Sequence, residues 1–331
     1  MSHLLCIGGT RFIGRHTVEE FLDHGYEVTL FNRGNHTNPF ADDDRVSHTE
    51  GDRTSEGELR LAVERADPDV VVDTCAYFPR DVRAATDICG EADVDAYVYV
   101  SSGAAYGAER VPKREDETAL CDCTTEQATE DSAASYGPRK AEGDRAIFEA
   151  AERGVNAMSV RPPVVYGPHD YTERFDYWID RVLNNDRVVV PGDGTNLWQK
   201  VYVEDVASAL RIVAEEGEPG EAYNVGDEHA PTLGEWVERI ADATDEEVEA
   251  VYAGPRELEA GGLELTDFPG YRPAPHLLSL SKLRALGWES TPHEESVPAT
   301  VAEHRESDRT GREEGPDREA EERVLSILEV M

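Results

Sequence analysis

The sequence predicts an α/β chain built on a doubly wound parallel sheet, with a smaller C-terminal substrate region. Three observations predict it. Short apolar runs alternate with amphipathic stretches of helical length through the first half of the chain. The first of those runs ends on a glycine cluster that opens the first helix. Beyond Gly167 the regular beat loosens, as it does where a smaller region is built from insertions around a sheet. Buried strands joined by helices of this length make parallel βαβ units.

The elements follow in order. Leu4–Ile7 is an apolar strand that stops at Gly8-Gly9. A helix from Phe12 to His24 keeps Phe12, Val18, Phe21 and Leu22 apolar and stops at Gly25. Strands follow at Glu27–Phe31 and Val46–Glu50, then a helix through Leu59 and Val63, and the strand Val70–Asp73. The helix Asp81–Cys89 leads to the strand Ala96–Ser101. Gly107–Ser135 is polar, acidic and weakly periodic, and reads as a long solvated flap. Ser135 caps a helix through Arg153, and Val155–Arg161 is the next strand. A strand at Gln199–Tyr202 and a helix at Asp205–Glu215 return to the sheet. Glu303–Arg318 is almost wholly charged and reads as flexible. Glu319–Met331, with Val324, Leu325, Ile327, Leu328 and Val330, makes a short helix with one apolar face. The expected division is a Rossmann domain over 1–166 with 196–215 returning to it, a substrate region over 167–195 and 216–300, and a charged tail with its helix over 301–331.

Composition narrows the function classes. The 331 residues carry 70 acidic against 32 basic side chains, a formal net charge of -38. The acid is dispersed along the chain, and only four basic residues are lysine: Lys113, Lys140, Lys200 and Lys282. Such a surface repels nucleic acid. Dispersed acid with little lysine resembles the proteins of salt-accumulating haloarchaea, where molar salt screens charges to about 3 Å. No run of about 18 apolar residues occurs, so no membrane span is expected. Met1–Ile7 lacks a basic region and a cleavable apolar segment, so it reads as a strand rather than a signal peptide. Five cysteines, Cys6, Cys75, Cys89, Cys121 and Cys123, suggest reduced thiols and a cytoplasmic setting. Cys121-Asp122-Cys123 has no second ligand pair at a matching spacing, so no metal is expected.

The cofactor signal is Gly8-Gly9-Thr10-Arg11-Phe12-Ile13-Gly14, placed after the first strand and opening the first helix. Glycines there let the backbone approach a pyrophosphate that rests on the helix N-terminus. Arg11 stands where a middle glycine is usual. The second strand ends in Phe31-Asn32-Arg33-Gly34, without the carboxylate that hydrogen-bonds the ribose of NAD. An arginine suits the 2′-phosphate of NADP, and Arg11 adds a second positive charge. Among the two NAD(P) cofactors, NADP is therefore favoured. Asp52, ending the third strand, and Ala76, after the fourth, fall beside the adenine and the nicotinamide ribose.

Tyr136 and Lys140 are four apart on a helix and share one face. Pro138 between them is tolerable within a first helical turn, which has no intrahelical N–H bonds to lose. The pair follows Ser101-Ser102-Gly103-Ala104-Ala105-Tyr106-Gly107 at the carboxyl edge of the sheet, where open α/β folds bind ligands. A free tyrosine is a poor base at neutral pH. A neighbouring ammonium favours the phenolate, which makes the pair an acid/base catalyst. Lys140 also suits the nicotinamide ribose, and Ser102 the substrate oxygen.

With these residues in this order, the chain resembles the extended, atypical short-chain dehydrogenase/reductases, the NAD-dependent epimerase/dehydratase family. The resemblance runs from about Leu4 to Leu210 and includes Val160-Arg161-Pro162-Pro163-Val164-Val165-Tyr166-Gly167-Pro168. It selects Ser102 over Ser101 as the catalytic hydroxyl. It implies that Arg161 and Pro162 face the nicotinamide and that Tyr166 and His169 begin the substrate region. Asp205 matches an aspartate read as structural. The implied function is NAD(P)-dependent epimerase or reductase chemistry on a hydroxyl or carbonyl of a small molecule, with a nucleotide sugar as the leading class. A homo-oligomer is within the expectation. Family dehydratases place an acidic pair directly after the catalytic hydroxyl, where this chain has Gly103 and Ala104. Hydride chemistry without loss of water is therefore expected. Chloroplast stem-loop RNA-binding proteins carry a similar glycine loop, so an RNA-binding protein on the same fold is the alternative.

Overall fold

The computed structural model describes residues 2–330; Met331, at the end of the expected terminal helix, lies outside them. Eleven strands and eleven helices are formed among the described residues. The first half runs β1 (His3–Ile7), α1 (Phe12–Asp23), β2 (Glu27–Asn32), β3 (Val46–Glu50), α2 (Glu56–Ala66), β4 (Val70–Asp73), α3 (Pro79–Glu91), β5 (Ala96–Val100), α4 (Ala133–Glu152) and β6 (Ala157–Arg161). The second runs β7 (Val164–Tyr166), α5 (Arg174–Asn184), β8 (Arg187–Pro191), β9 (Lys200–Tyr202), α6 (Val203–Glu216), β10 (Ala222–Asn224), α7 (Leu233–Thr244), β11 (Glu249–Ala253), α8 (Pro255–Gly261), α9 (Ser281–Arg284), α10 (His293–Glu306) and α11 (Arg318–Leu328).

The chain divides into two compact units. The first holds residues up to Pro163, Val203–Gly226 and Leu278–Glu289; the second holds Val164–Tyr202, Asp227–Leu277 and the chain from Ser290 onward. Against the expected return of 196–215, the chain re-enters the first unit at Val203 and returns again over Leu278–Glu289. β10 adds a strand absent from the sequence reading, because three residues are too few to show a period.

In the first unit seven parallel strands lie in the order β10-β6-β5-β4-β1-β2-β3. The order reverses between β1 and β4, which is where doubly wound sheets bind ligands. β4 and β5 are buried along their whole length, which is why they read as unbroken apolar runs rather than alternating ones. On one face Leu5, Ile7, Val71, Tyr97 and Tyr99 pack against Leu59 and Val63 of α2, Val82 and Ile88 of α3, and Ile147 of α4.

Two expectations on local structure are corrected. Helix α4 starts at Ala133, capped by Ser132, whose hydroxyl accepts from Ser135 N at 3.2 Å. Pro138 thus lies inside the helix and not in its first turn, and the carbonyl it leaves unbonded belongs to Ala134, which is exposed. The 107–135 segment is no solvated flap throughout. Lys113 is 1% exposed and its ammonium donates to Ala108 O; its backbone accepts from Asn224 Nδ2 at 3.2 Å. Glu115 accepts from Asn224 N at 2.9 Å. Asn224, at the end of β10, supplies the last two of these anchors, and β10 is a strand the sequence reading lacked.

The second unit pairs β8 with β11 and β7 with β9. Its charged terminal segment is ordered rather than flexible, because its arginines find carboxylates on α5 and α10. Arg309 reaches Asp176 and Glu303, and Arg312 donates to Asp180 at 2.9 Å. Glu321 of α11 accepts from Tyr177 at 2.8 Å, while Val324 and Leu325 are buried.

Candidate active site

The glycine loop joins β1 to α1 by a close approach. A Cβ on Gly14 would come within 2.7 Å of Gly9 N, while Gly8 and Gly9 hold φ values of 111° and 87° that favour glycine. No side chain caps α1, and no acidic residue stands in its first turn. A helix N-terminus of this kind suits a pyrophosphate, and Gly9, Thr10, Arg11, Phe12 and Ile13 are the residues that would hold it. The residues fit a dinucleotide.

At the ends of β2 and β3 the expected cofactor residues divide. Asn32 braces the loop from below: its Nδ2 donates to Gly8 O at 2.8 Å and its Oδ1 accepts from Gly34 N at 2.9 Å. Its side chain is therefore a support of the glycine loop. Arg33 is exposed. Asp52 accepts from the Thr54 amide and hydroxyl at 2.9 and 2.8 Å, and these bonds hold its carboxyl below the ordinary range. The next residue, Arg53, turns inward instead. Its guanidinium pairs with Asp73 at the end of β4 and lies 3.4 Å from Asp81 of α3. Tyr97 donates to the same Asp73 carboxylate at 3.1 Å. The sequence reading stopped at Asp52 and missed this pair. The signal available was a lone aspartate closing an all-valine strand, where only a buried partner can compensate the charge.

The expected catalytic residues all lie in the first unit, on β5, its following turn and α4. Ser102, 8% exposed, begins a tight turn, and its Oγ accepts from Ala104 N at 3.2 Å. Pro162 O accepts from Gly103 N at 2.7 Å and so ties this turn to the end of β6. Gly137, directly after Tyr136, brings α4 against the turn; a Cβ there would lie 2.6 Å from Ala104 O. Lys140 is buried and donates to Ala76 O at 3.0 Å and Val100 O at 2.8 Å. Its ammonium lies 5.9 Å from the centroid of the Tyr136 ring, 4.8 Å from that of Tyr99 and 5.4 Å from that of Tyr77. Burial pushes the amine down to about 8, and Asp73 and Asp144 oppose the fall. Ala76 thus enters through its carbonyl, as a holder of Lys140.

Arg161 ends β6. Its guanidinium, 1% exposed, donates to Asp144 Oδ2 at 2.8 Å and to the Tyr106 hydroxyl at 2.9 Å. That side chain is buried and engaged by these two partners. Tyr166 and His169 belong to the second unit. Tyr166 is wholly buried; its hydroxyl bonds Ser296 at 2.7 Å and its ring packs on Phe175 and Trp236. It packs as a core residue of the second unit. His169 pairs with Glu303 at 3.0 Å. Sequence reasoning also passed over Lys200, which is 4% exposed with its ammonium 4.9 Å from the Trp236 ring centroid. Burial pushes it down to about 7, Asp227 opposes the fall, and Arg174 adds to it.

Known proteins agree with this architecture. The chain is 28% identical over 313 residues to a low-salt glycan biosynthesis protein of Haloferax volcanii, covering 86% of this chain and 93% of that one. It is 26% identical over 300 residues to a chloroplast stem-loop binding protein of 41 kDa from Arabidopsis thaliana, covering 86% and 74%. Among solved structures, the dTDP-glucose 4,6-dehydratase of Bacillus anthracis in complex with NAD matches with a TM-score of 0.74 at 20% identity, covering 93% of this chain and 98% of that one. The UDP-glucose 4-epimerase of Thermotoga maritima with UDP-glucose matches with a TM-score of 0.72 at 22% identity, covering 92% and 99%. Likenesses at this identity establish the fold. Over residues 4–226 the chain matches the model of the NAD dependent epimerase/dehydratase family, and it belongs to that family.

Proposed function

We propose that the chain is an NAD(P)-dependent epimerase or reductase that moves a hydride at a carbon bearing a hydroxyl or carbonyl of a small polar molecule, with a nucleotide sugar as the leading class. One observation carries this reading: the buried Lys140 amine, held by two backbone carbonyls, faces the Tyr136 ring beside the Ser102 turn. A bound nicotinamide supplies the hydride acceptor and donor. Tyr136 takes the proton of the substrate hydroxyl as its carbon is oxidised, and returns it on reduction. Lys140 favours the phenolate that does so. Ser102 donates to the substrate oxygen. The nucleotide-sugar class rests on the relatives and the neighbouring folds, which is support by analogy.

Arg33, exposed past the end of β2 with no acid beside it on that strand, favours NADP within this reading. Gly103 and Ala104 can transfer no proton, and Glu115 is engaged by Asn224 N; both support hydride transfer without dehydration. The stem-loop binding relative suggests no second function here, since a net charge of -38 opposes a polyanion. Incubation with candidate nucleotide sugars and NAD or NADP, read by mass spectrometry, tests the reading. The expected product has the mass of the substrate or differs by two hydrogens, and Arg33→Ala weakens NADP more than NAD. A product lighter by one water overturns the proposed chemistry.

A further inference from the structure

Lys140 bonds only uncharged carbonyls, yet it must carry a positive charge to act on Tyr136. Burial works against that charge. The groups facing the amine are Asp73 and Cys75 at and after the end of β4, Tyr77 beyond them, Tyr99 on β5, and Tyr136, Arg139 and Asp144 on its own helix. Two of these are carboxylates, and both are 0% exposed. Asp144 follows Lys140 by one helical turn and so shares its face. Asp73 stands opposite Tyr99 in the β4–β5 register, and the ammonium lies 4.8 Å from the centroid of that same ring.

A carboxylate buried alone would neutralise itself by taking a proton. Neither of these is alone. Arg53 pairs with Asp73, and Arg161 donates to Asp144 at 2.8 Å. Guanidinium groups do not lose their proton in proteins. Each pair also engages a tyrosine hydroxyl: Tyr97 donates to Asp73 at 3.1 Å, and Tyr106 accepts from Arg161 at 2.9 Å. Buried charge therefore alternates in sign from Arg53 through Asp73, Lys140 and Asp144 to Arg161.

We propose that Asp73 and Asp144, each paired with a buried arginine, are positioning residues that keep Lys140 charged beneath Tyr136. The inference rests on the hydride-transfer reading only for its purpose. The charge itself is measurable without a substrate.

The chain has four lysines, so lysine labelled with 13C at the ε carbon gives four signals, and Lys140→Met identifies one of them as Lys140. A pH titration of the full chain then reads that amine directly. In Asp73→Asn and in Asp144→Asn its midpoint falls by about 1–2 pH units, the usual effect of losing an opposite charge nearby. Asp73→Glu keeps the midpoint near that of the unsubstituted protein. Should an unpaired Arg53 prevent folding, Arg53→Met/Asp73→Asn removes both ends of the pair and still lowers the midpoint. A midpoint unchanged or raised in a folded variant overturns the inference. If turnover survives while the amine shifts, this inference stands and the catalytic reading of Lys140 falls.

Discussion

Tyr136→Phe removes one oxygen and keeps the ring that lies 5.9 Å from the Lys140 amine. Nucleotide affinity should stay close to that of the parent, while turnover falls at least about 100-fold, the scale of a lost general acid/base. Steady-state rates on the identified substrate, with nucleotide titrations beside them, make the comparison; near-parental turnover would remove Tyr136 from the chemistry. Lys200 asks a question of stability. Its folded value of about 7 lies below its ordinary 10.5. Protonation therefore favours the unfolded chain. The cost is absent above about pH 10.5, grows as the pH falls towards 7, and is constant below that. At 1.36 kcal/mol per pH unit the full window is worth on the order of 5 kcal/mol. Lys200→Met should raise the melting temperature at pH 7 and flatten its increase between pH 7 and 10. A variant less stable than the parent at pH 7 would mean that Trp236 and Asp227 compensate the buried charge in full.

At the scale of elements, Gly137 sets two effects against each other. Alanine in a helix interior gains about 1 kcal/mol over glycine. A Cβ at 2.6 Å from Ala104 O must instead displace α4 or the Ser102 turn, and overpacking of this kind costs about 1–3 kcal/mol. The clash should win, so Gly137→Ala is expected to lower both turnover and the urea midpoint; a stabilised variant would show that α4 does not press on the turn. The sheet, the glycine loop and the Tyr136–Lys140 helix were legible in the sequence because periodicity and turn residues are local signals. Gly137 was not, since its neighbour is 33 residues away in Ala104. Arg53–Asp73 and Asp144–Arg161 escaped for the same reason: each pairs residues from separate elements, and a lone charged letter does not name its partner. The start of α4 was misread because Ser132 and Ser135 are both good caps, and only the reciprocal bonding between them decides.

For the molecule as a whole, charge decides how stability responds to salt. With 70 acidic and 32 basic side chains, pairing every cation would still leave 38 carboxylates unmatched. Salt acts on this surface in two opposed ways. It weakens exposed ion pairs such as Arg60–Glu91 and Arg153–Asp87, each worth about 0–1 kcal/mol. It also relieves repulsion among the unmatched carboxylates, as the screening length falls from about 10 Å at 0.1 M to about 3 Å at 1 M. The buried pairs, Asp73 with Arg53 and Asp144 with Arg161, are hidden from that screening and should hold at any ionic strength. Relief therefore outweighs loss, because the unmatched charges outnumber the basic residues available to pair. The melting temperature should rise with potassium chloride from about 0.1 M well into the molar range. Sucrose at equal osmolality should stabilise less, since it adds no screening. A melting temperature that is flat or falls with potassium chloride would show that the carboxylates lie too far apart to repel, and that the acidic surface has no part in stability.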